Sequence, residues 1–439
     1  MTRSVTPIRY KEFMNYFVGI DFGTSGVRAI AINMDGEIVA ISRTEYDIRD
    51  YETWQAALYE VIASLPKEIR QTTKKIVIDG TSATVLICDL EGKAIAPPMI
   101  YSDACSQEVL EHMKKIVPPQ HSVCSATSSL AKLVLFLENE GLQPLFSSLY
   151  LLHQADWLGY LLHGKLGLSD YHNALKLGYD PMLLNYPNWL KDWALRNPAV
   201  ILPEVFAPSK TVGIIQEEIA SKLNLSLDCE IGAGTTDSNA AFLASIGTMK
   251  PEIGTAVTSL GSTMVLKVLS DRPINDARYG IYSHRFEHRE LGCLWLVGGA
   301  SNVGGAVLRQ FFTDQQLQEL SDRIDPNISS SLDYYPLPKK GDRFPINDPN
   351  LAPRLKPRPD DPVEFLHGLL ESMARIEAQG YKLLQELGSS PIQQIYTAGG
   401  GAKNQIWAKI RDRYLQIPMQ QAIQTEAAYG AALLAKISL

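Results

Sequence analysis

Apolar positions between Val18 and Ile32 fall in two short runs, V-G-I-D-F and V-R-A-I-A-I, on either side of the polar stretch G-T-S-G. β-Branched runs flanking a glycine-bearing turn predict a strand, a tight turn and a returning strand. Gly23 and Gly26 allow the turn positive φ and a close approach to a ligand. The run E-I-V-A-I-S after Asp35-Gly36 adds a third antiparallel strand. Helical spacing follows from Glu52 to Leu65, and K-K-I-V-I-D-G-T-S-A-T-V-L-I-C-D reads as two strands interrupted at Gly80-Thr81-Ser82. Helical spacing returns over Ser128–Gly141 and His153–His163.

Further along, a strand ends at Gly232–Gly234, and Thr235-Thr236-Asp237 begin a helix through Ser245. The opening pattern then recurs: A-V-T-S-L-G-S-T-M-V-L-K-V-L places two strands around the turn Gly261-Ser262-Thr263. The segment W-L-V-G-G-A-S-N-V-G-G-A-V-L predicts a strand, a glycine turn and a helix from Gly304 to Phe312. Asp333 to Pro362 is proline-rich without a period, which by composition is an exposed loop. A long amphipathic helix is expected from Val363 to Leu387, and I-Q-Q-I-Y-T-A-G-G-G predicts a strand, a triple glycine and a helix.

At 439 residues the chain is too long for one core and predicts two domains of about 200 residues each. Hydrophobic content of 45% and charged content of 20% are those of a globular protein, and a net charge of −7 argues against a general nucleic-acid binder. No apolar run approaches the roughly 20 residues of a membrane span. Met1 to Tyr16 lacks the apolar core of a signal peptide, so the cytoplasm is the expected compartment. Cys88, Cys105, Cys124, Cys229 and Cys293 are scattered and odd in number, which predicts free thiols.

The candidate chemistry is phosphate-directed. Asp21 offers a carboxylate for a hydrated Mg²⁺, and Thr24 and Ser25 offer donors for phosphate oxygens in a turn whose backbone N–H groups form an anion nest. Thr81 and Ser82 interrupt a strand where an open α/β sheet puts its ligands, although a plain turn accounts for them equally. Asp237 opens a helix, which is also an ordinary capping position. An aspartate there is expected to keep a pKa near ~3.9 and stay ionised at pH 7.

D-F-G-T-S-G-V-R resembles the first phosphate loop of the actin-like ATPase superfamily, and within it the FGGY carbohydrate kinases. The resemblance implies two actin-like (ribonuclease H-like) α/β domains flanking an ATP/sugar cleft. Sugar would be held by residues 1–247 and ATP by residues 248–424, with a closing helix over 425–439 packing back on the first domain. It implies Asp237 as catalytic base, and Asp21, Ser82, Asp103 and Asp237 as substrate-binding residues. Thr24, Ser25, Gly261, Ser262, Thr263, Gly400, Gly401 and Asn404 would hold ATP, with Asn404 reaching the polar edge of the base. Mg²⁺ would be bound through water by Asp21. In P-P-M-I-Y-S-D-A-C, Asp103 matches the Asp of the family's W-x-D-x-R loop, while Tyr101 and Cys105 replace its Trp and Arg; a solvated loop aspartate is the plain alternative. P-L-P-K-K-G-D-R-F-P-I-N-D-P resembles an ordered family signature near the cleft. His153, His163 and His172 lack metal-ligand spacing and read as capping or surface residues.

The segment I-D-G-T-S, in place of Q-M-H, is similar to the compact D-ribulose kinase group of plants and cyanobacteria and implies phosphorylation of D-ribulose to D-ribulose 5-phosphate. D-xylulose is the second acceptor, and an actin-like nucleotide-binding protein without kinase activity the alternative from another class. No nucleic-acid or membrane partner is expected, and the chain is expected as a monomer or homodimer.

Overall fold

The computed structural model describes residues 15–24, 26–119, 121–138, 148–247, 251–288 and 291–437. Ser25, most of the Met1–Tyr16 leader reading and the last residues of the helix expected to reach Gly141 lie outside the described residues.

The opening hairpin forms as the pattern predicts: β1 (Tyr16–Gly23) and β2 (Gly26–Ile32) pair antiparallel, and β3 (Ile38–Thr44) continues the meander. Gly36 takes φ 86° in the Asp35-Gly36 turn. The helix Tyr51–Ala63, capped by the Asp50 side chain, buries Trp54, Ala57, Leu58, Val61 and Ile62 at three- and four-residue spacing. It returns the chain to β4 (Thr73–Gly80), which lies parallel to β1. The sheet then continues through Glu230–Gly232 to Thr211–Ile214, while Thr235–Thr236 also pairs with β4.

The two strands expected on either side of the Gly80 interruption form, but the second, Val85–Cys88, belongs to a different sheet with Leu149–His153 and Val200–Ile201. Ala83, at φ 63°, turns the chain out of the first sheet.

The second half repeats the motif. Thr255–Leu260 and Met264–Ser270 pair antiparallel, Gly292–Ser301 adds a third antiparallel strand, and Gln394–Ala398 returns parallel to the first. The helix before that return, Pro362–Glu386, starts at Asp361 with proline in its first turn. The helix expected over Gly304–Phe312 is a single turn, Gly305–Leu308, which loosens into turns before Thr313 caps a new helix at Asp314. Within Asp333–Pro362, Asp342 is buried and accepts from Ser301 Oγ (2.9 Å) and Tyr335 OH (2.7 Å), so this loop is packed rather than free.

Each half has its own apolar core. The helix Ala427–Lys436 packs on β1, β4 and the helix Asp237–Ile246. A Cβ at Gly430 would stand 1.8 Å from Ala240 O, and one at Gly19 2.1 Å from Ala428 O, so both contacts are backbone on backbone. The five cysteines are free thiols. Among the described residues no helix is long and apolar enough to cross a membrane.

Candidate active site

Three parallel strands end side by side and form the floor of the site. Asp21 on β1 is level with Asp79 on β4, and Asp79 is level with Thr235. Neighbouring strands lie about 4.8 Å apart, so the backbones carrying Asp21 and Asp237 flank Asp79 with roughly 10 Å between them. Asp21 and Asp79 meet carboxyl to carboxyl, and no N–H or O–H among the described residues reaches either oxygen of Asp79 or Oδ1 of Asp21. Burial raises both above the usual carboxylate range, Asp79 far more, since it also faces the charge of Asp21. Arg28, opposite Asp21 on β2, opposes that rise and is itself paired with Glu426.

Asp237 is the first residue of its helix, after Thr236 as N-cap. Its Oδ1 accepts from Ser238 N (2.7 Å), and the nearby backbone N–H of Ser82 also favours its anion. The expectation of an unperturbed carboxylate is wrong. Burial, and then the charge of Asp21, push Asp237 up to about 6, outweighing the two N–H groups and Lys267. The helix terminus stabilises the anion, but crowding by protein and a second carboxylate stabilise the acid more.

Asp21, Ser82 and Asp237 therefore share one patch, and the buried Ser82 Oγ has no partner among the described residues. Asp103 lies on the next loop. Its carboxylate is gripped by Arg49 through Nη2 (2.8 Å) and Nη1 (3.2 Å) and accepts from Ile100 N (2.9 Å), and Arg49 is the main reason it is held below the usual range. A guanidinium thus meets this aspartate from a distant stretch, while Cys105 is buried. Lys132 fastens the two loops together, donating to Ala83 O (2.6 Å) and Ile100 O (2.7 Å). Its burial lowers it to about 8.

The second half holds a cavity of 580 Å³, in the range of small-molecule sites. Gly261, Ser262, Gly400, Gly401 and Asn404 line it, together with Arg309, Lys403 and Trp407. Gly400 has open space where a Cβ would stand, as a site for a flat ligand needs. Thr263 closes the hairpin, its O accepting from Gly261 N (3.1 Å), and is not part of the lining; Thr24 is exposed in the first turn. Asn404 differs from expectation: both ends of its carboxamide are engaged, Oδ1 by Trp407 N (2.9 Å) and Nδ2 by Ser321 Oγ (2.8 Å). It caps a helix and braces the wall.

Several residues here escaped the sequence reading. Asp79 was legible in principle, as an acid ending an otherwise apolar run. Lys267 was not: it reaches from Met264–Ser270 to Ser238 O (2.6 Å), Ser238 Oγ (3.1 Å) and Asn239 Oδ1 (3.2 Å), binding the second half to the first turn of the Asp237 helix. The three histidines are buried, not at the surface. His153 does cap its helix. His172 bridges the halves, contacting Thr235 Oγ1 (2.7 Å) and Arg285 O (2.6 Å).

Comparison with known proteins agrees with this architecture. The N-terminal domain of the FGGY family of carbohydrate kinases matches residues 16–244, and the C-terminal domain matches residues 256–439. A xylulose kinase of Lactococcus lactis is 24% identical over 67% of this chain and 60% of its own. Glycerol kinase 2 of Saccharolobus solfataricus is 23% identical over 97% of this chain and 89% of its own. The crystal structure of xylulose kinase from Rhodospirillum rubrum superposes with a TM-score of 0.82 at 20% identity, over 96% of this chain and 89% of that one.

Proposed function

This chain belongs to the FGGY family of carbohydrate kinases, and from that premise we propose that it moves the γ-phosphoryl group of ATP onto the terminal primary hydroxyl of a ketopentose, D-ribulose first, giving D-ribulose 5-phosphate. The family's members are ATP- and Mg²⁺-dependent sugar kinases, so ATP and a sugar are its small-molecule partners. The observation that carries the reading is the meeting of Asp237, the Ser82 turn and Asp21 in one patch, in a chain whose second half holds a cavity of small-molecule size.

Asp237 takes the proton of the attacking hydroxyl while the new P–O bond forms and the bond from γ-phosphorus to the bridging oxygen breaks. At about 6 its pKa leaves it largely ionised at pH 7, and a stronger base than a free aspartate. Ser82 Oγ and the Arg49-held Asp103 receive sugar hydroxyls. The two hairpins, Thr24-Ser25 and Gly261-Ser262-Thr263, present donors to phosphate oxygens. Asp21, with an oxygen that no donor among the described residues satisfies, fits a water-held Mg²⁺. When bound, that ion neutralises charge on the phosphate oxygens. Gly400 leaves room for the adenosine, while Gly401 lets the turn lie against Leu260 and Trp407. Residues 1–247 form the sugar side and 248–424 the ATP side, in a monomer or homodimer of the cytoplasm.

D-Xylulose is the second reading, favoured by the names of the relatives. A coupled ADP-release assay over ketopentoses, polyols and a sugar-free blank separates the two. D-Ribulose is expected to give the highest kcat/KM; a preference for D-xylulose overturns the first reading, and ADP release no faster than the blank overturns both.

A further inference from the structure

The β1–β4 ladder ends with Phe22 opposite Gly80, at the threshold of both the phosphate hairpin and the Ser82 turn. Beyond that point a chain of side chains takes over. Tyr101 N donates to Thr84 Oγ1 (3.0 Å), Thr84 Oγ1 lies 2.6 Å from Thr81 Oγ1, and Thr81 Oγ1 donates to Gln154 Oε1 (3.1 Å). Gln154 Nε2 then donates to Tyr46 OH (3.2 Å), which gives its proton to Gly23 O (2.6 Å). The direction follows from the ends. Thr84 accepts from an amide and must pass its own proton on, while Tyr46 has its proton committed to a carbonyl. Thr81, Thr84 and Gln154 are at most 4% exposed, so water does not compete for these bonds. In low-dielectric surroundings such aligned bonds strengthen one another.

We propose that Gln154 is a positioning residue: through this one-way chain it fixes the phosphate hairpin relative to both sugar-side loops, and so aims the sugar hydroxyl at the γ-phosphorus. The inference rests on the kinase reading above. Gln154 opens the helix Gln154–His163 and is fully buried, so it acts through Tyr46 and Thr81 and touches no substrate itself. Gly80 leaves the space it needs, since a Cβ there would stand 3.0 Å from Gln154 Oε1.

The test uses Gln154→Met, which keeps the volume and removes the amide, and Tyr46→Phe, which removes one hydroxyl and keeps the ring against Phe22 and Trp54. ADP and sugar phosphate are measured separately at saturating substrates. Misalignment of reacting groups costs up to about 100-fold, so each variant is expected to lose about tenfold or more in kcat with both KM values within about threefold. ADP is expected to exceed sugar phosphate, because water then attacks the γ-phosphorus and releases inorganic phosphate. The double variant is expected to be no worse than the poorer single one, since one chain is broken only once. Turnover near wild type with equal amounts of both products, or losses that multiply in the double variant, overturns the inference. Tyr46→Phe alone decides it if Gln154→Met does not fold. A wild-type protein that phosphorylates no acceptor overturns the kinase reading and this inference together, whereas an active wild type with normal variants overturns this inference only.

Discussion

At the scale of single residues, the proposed chemistry turns on how far Asp237, the proposed base, departs from a solvated aspartate. A base works only in its ionised form, so kcat/KM for the sugar is expected to rise through an apparent pKa near 6 and level off above it. Lys267, lowered by burial to about 7, is mostly charged at that pH and favours the carboxylate. Lys267→Met is therefore expected to move the rising limb to higher pH, while Lys267→Arg leaves it close to wild type; a limb that stays put in the Met variant separates the lysine from the base. The same shift bears on folding. Between about 4 and about 6 the unfolded chain binds fewer protons at this group than the folded one, so its contribution to stability falls as pH rises through that window. Asp237→Asn is expected to cost about 10²–10⁴-fold in turnover, yet to melt above wild type at pH 7, with the gap closing below about pH 4. An unchanged Tm at pH 7 would show that burial does not strain the charge.

At the scale of elements, the site depends on where backbones touch. Ala240 belongs to the Asp237 helix, and Gly430 lets the Ala427–Lys436 helix lie directly on it. Gly430→Ala is expected to destabilise by about 1–3 kcal/mol, as overpacking does, and to lower turnover by shifting Asp237. Gly400→Ala meets open space and should leave Tm unchanged while raising the KM for ATP; the two glycines are told apart by thermal melts run beside kinetics. This is also where the sequence stops being informative. The hairpins at Gly23 and Gly261 and the helices beginning near Glu52 and at Asp237 are local events, written in turn chemistry, capping and period, and they were legible. Asp21 stood out in its glycine turn and Ser82 at a strand interruption, whereas Asp237 looked like an ordinary helix start until the family resemblance singled it out. Arg49 on Asp103, Lys267 on Ser238 and Val85–Cys88 leaving the first sheet depend on residues far apart in the chain, and no local pattern encodes them. Ser129, His153 and Asp156 make the point in reverse: Ser129 Oγ and Asp156 Oδ2 each lie 2.9 Å from the ring of His153, a hydrolase-like relay by geometry. All three are buried, so burial assigns them to packing where spacing alone would suggest catalysis.

At the scale of the whole molecule, two cores meet across a buried apolar cluster, in which Phe242 and Ile246 of the Asp237 helix pack on Val257, Leu269, Leu294, Leu296 and Tyr396, and across the polar contacts of Lys267 and His172. The second core contains a charged knot directly beneath the strand that leads to the Gly261 hairpin. Arg411 donates to Glu377 through Nε (2.6 Å) and Nη2 (2.7 Å), and Thr258 Oγ1 donates to Glu377 Oε1 (2.6 Å). Both charged side chains are 1% exposed. Removing one member of such a pair leaves the other charge buried without a counter-ion, at a cost of about 3–5 kcal/mol. Arg411→Met should therefore weaken residues 255–421 selectively and split a single calorimetric transition into two, the lower one belonging to that half. If that half holds the nucleotide, MgADP at about 100 times its Kd returns about 2.7 kcal/mol to it, and the lower transition should climb back toward the upper while the upper stays in place. Nucleotide that raises only the upper transition would move ATP to the other half of the molecule. One transition that shifts as a whole would mean that the Phe242–Ile246 apolar cluster, Lys267 and His172 make the halves a single cooperative unit, in which closure of the proposed cleft is a local hinge motion and not an exchange between separately stable domains.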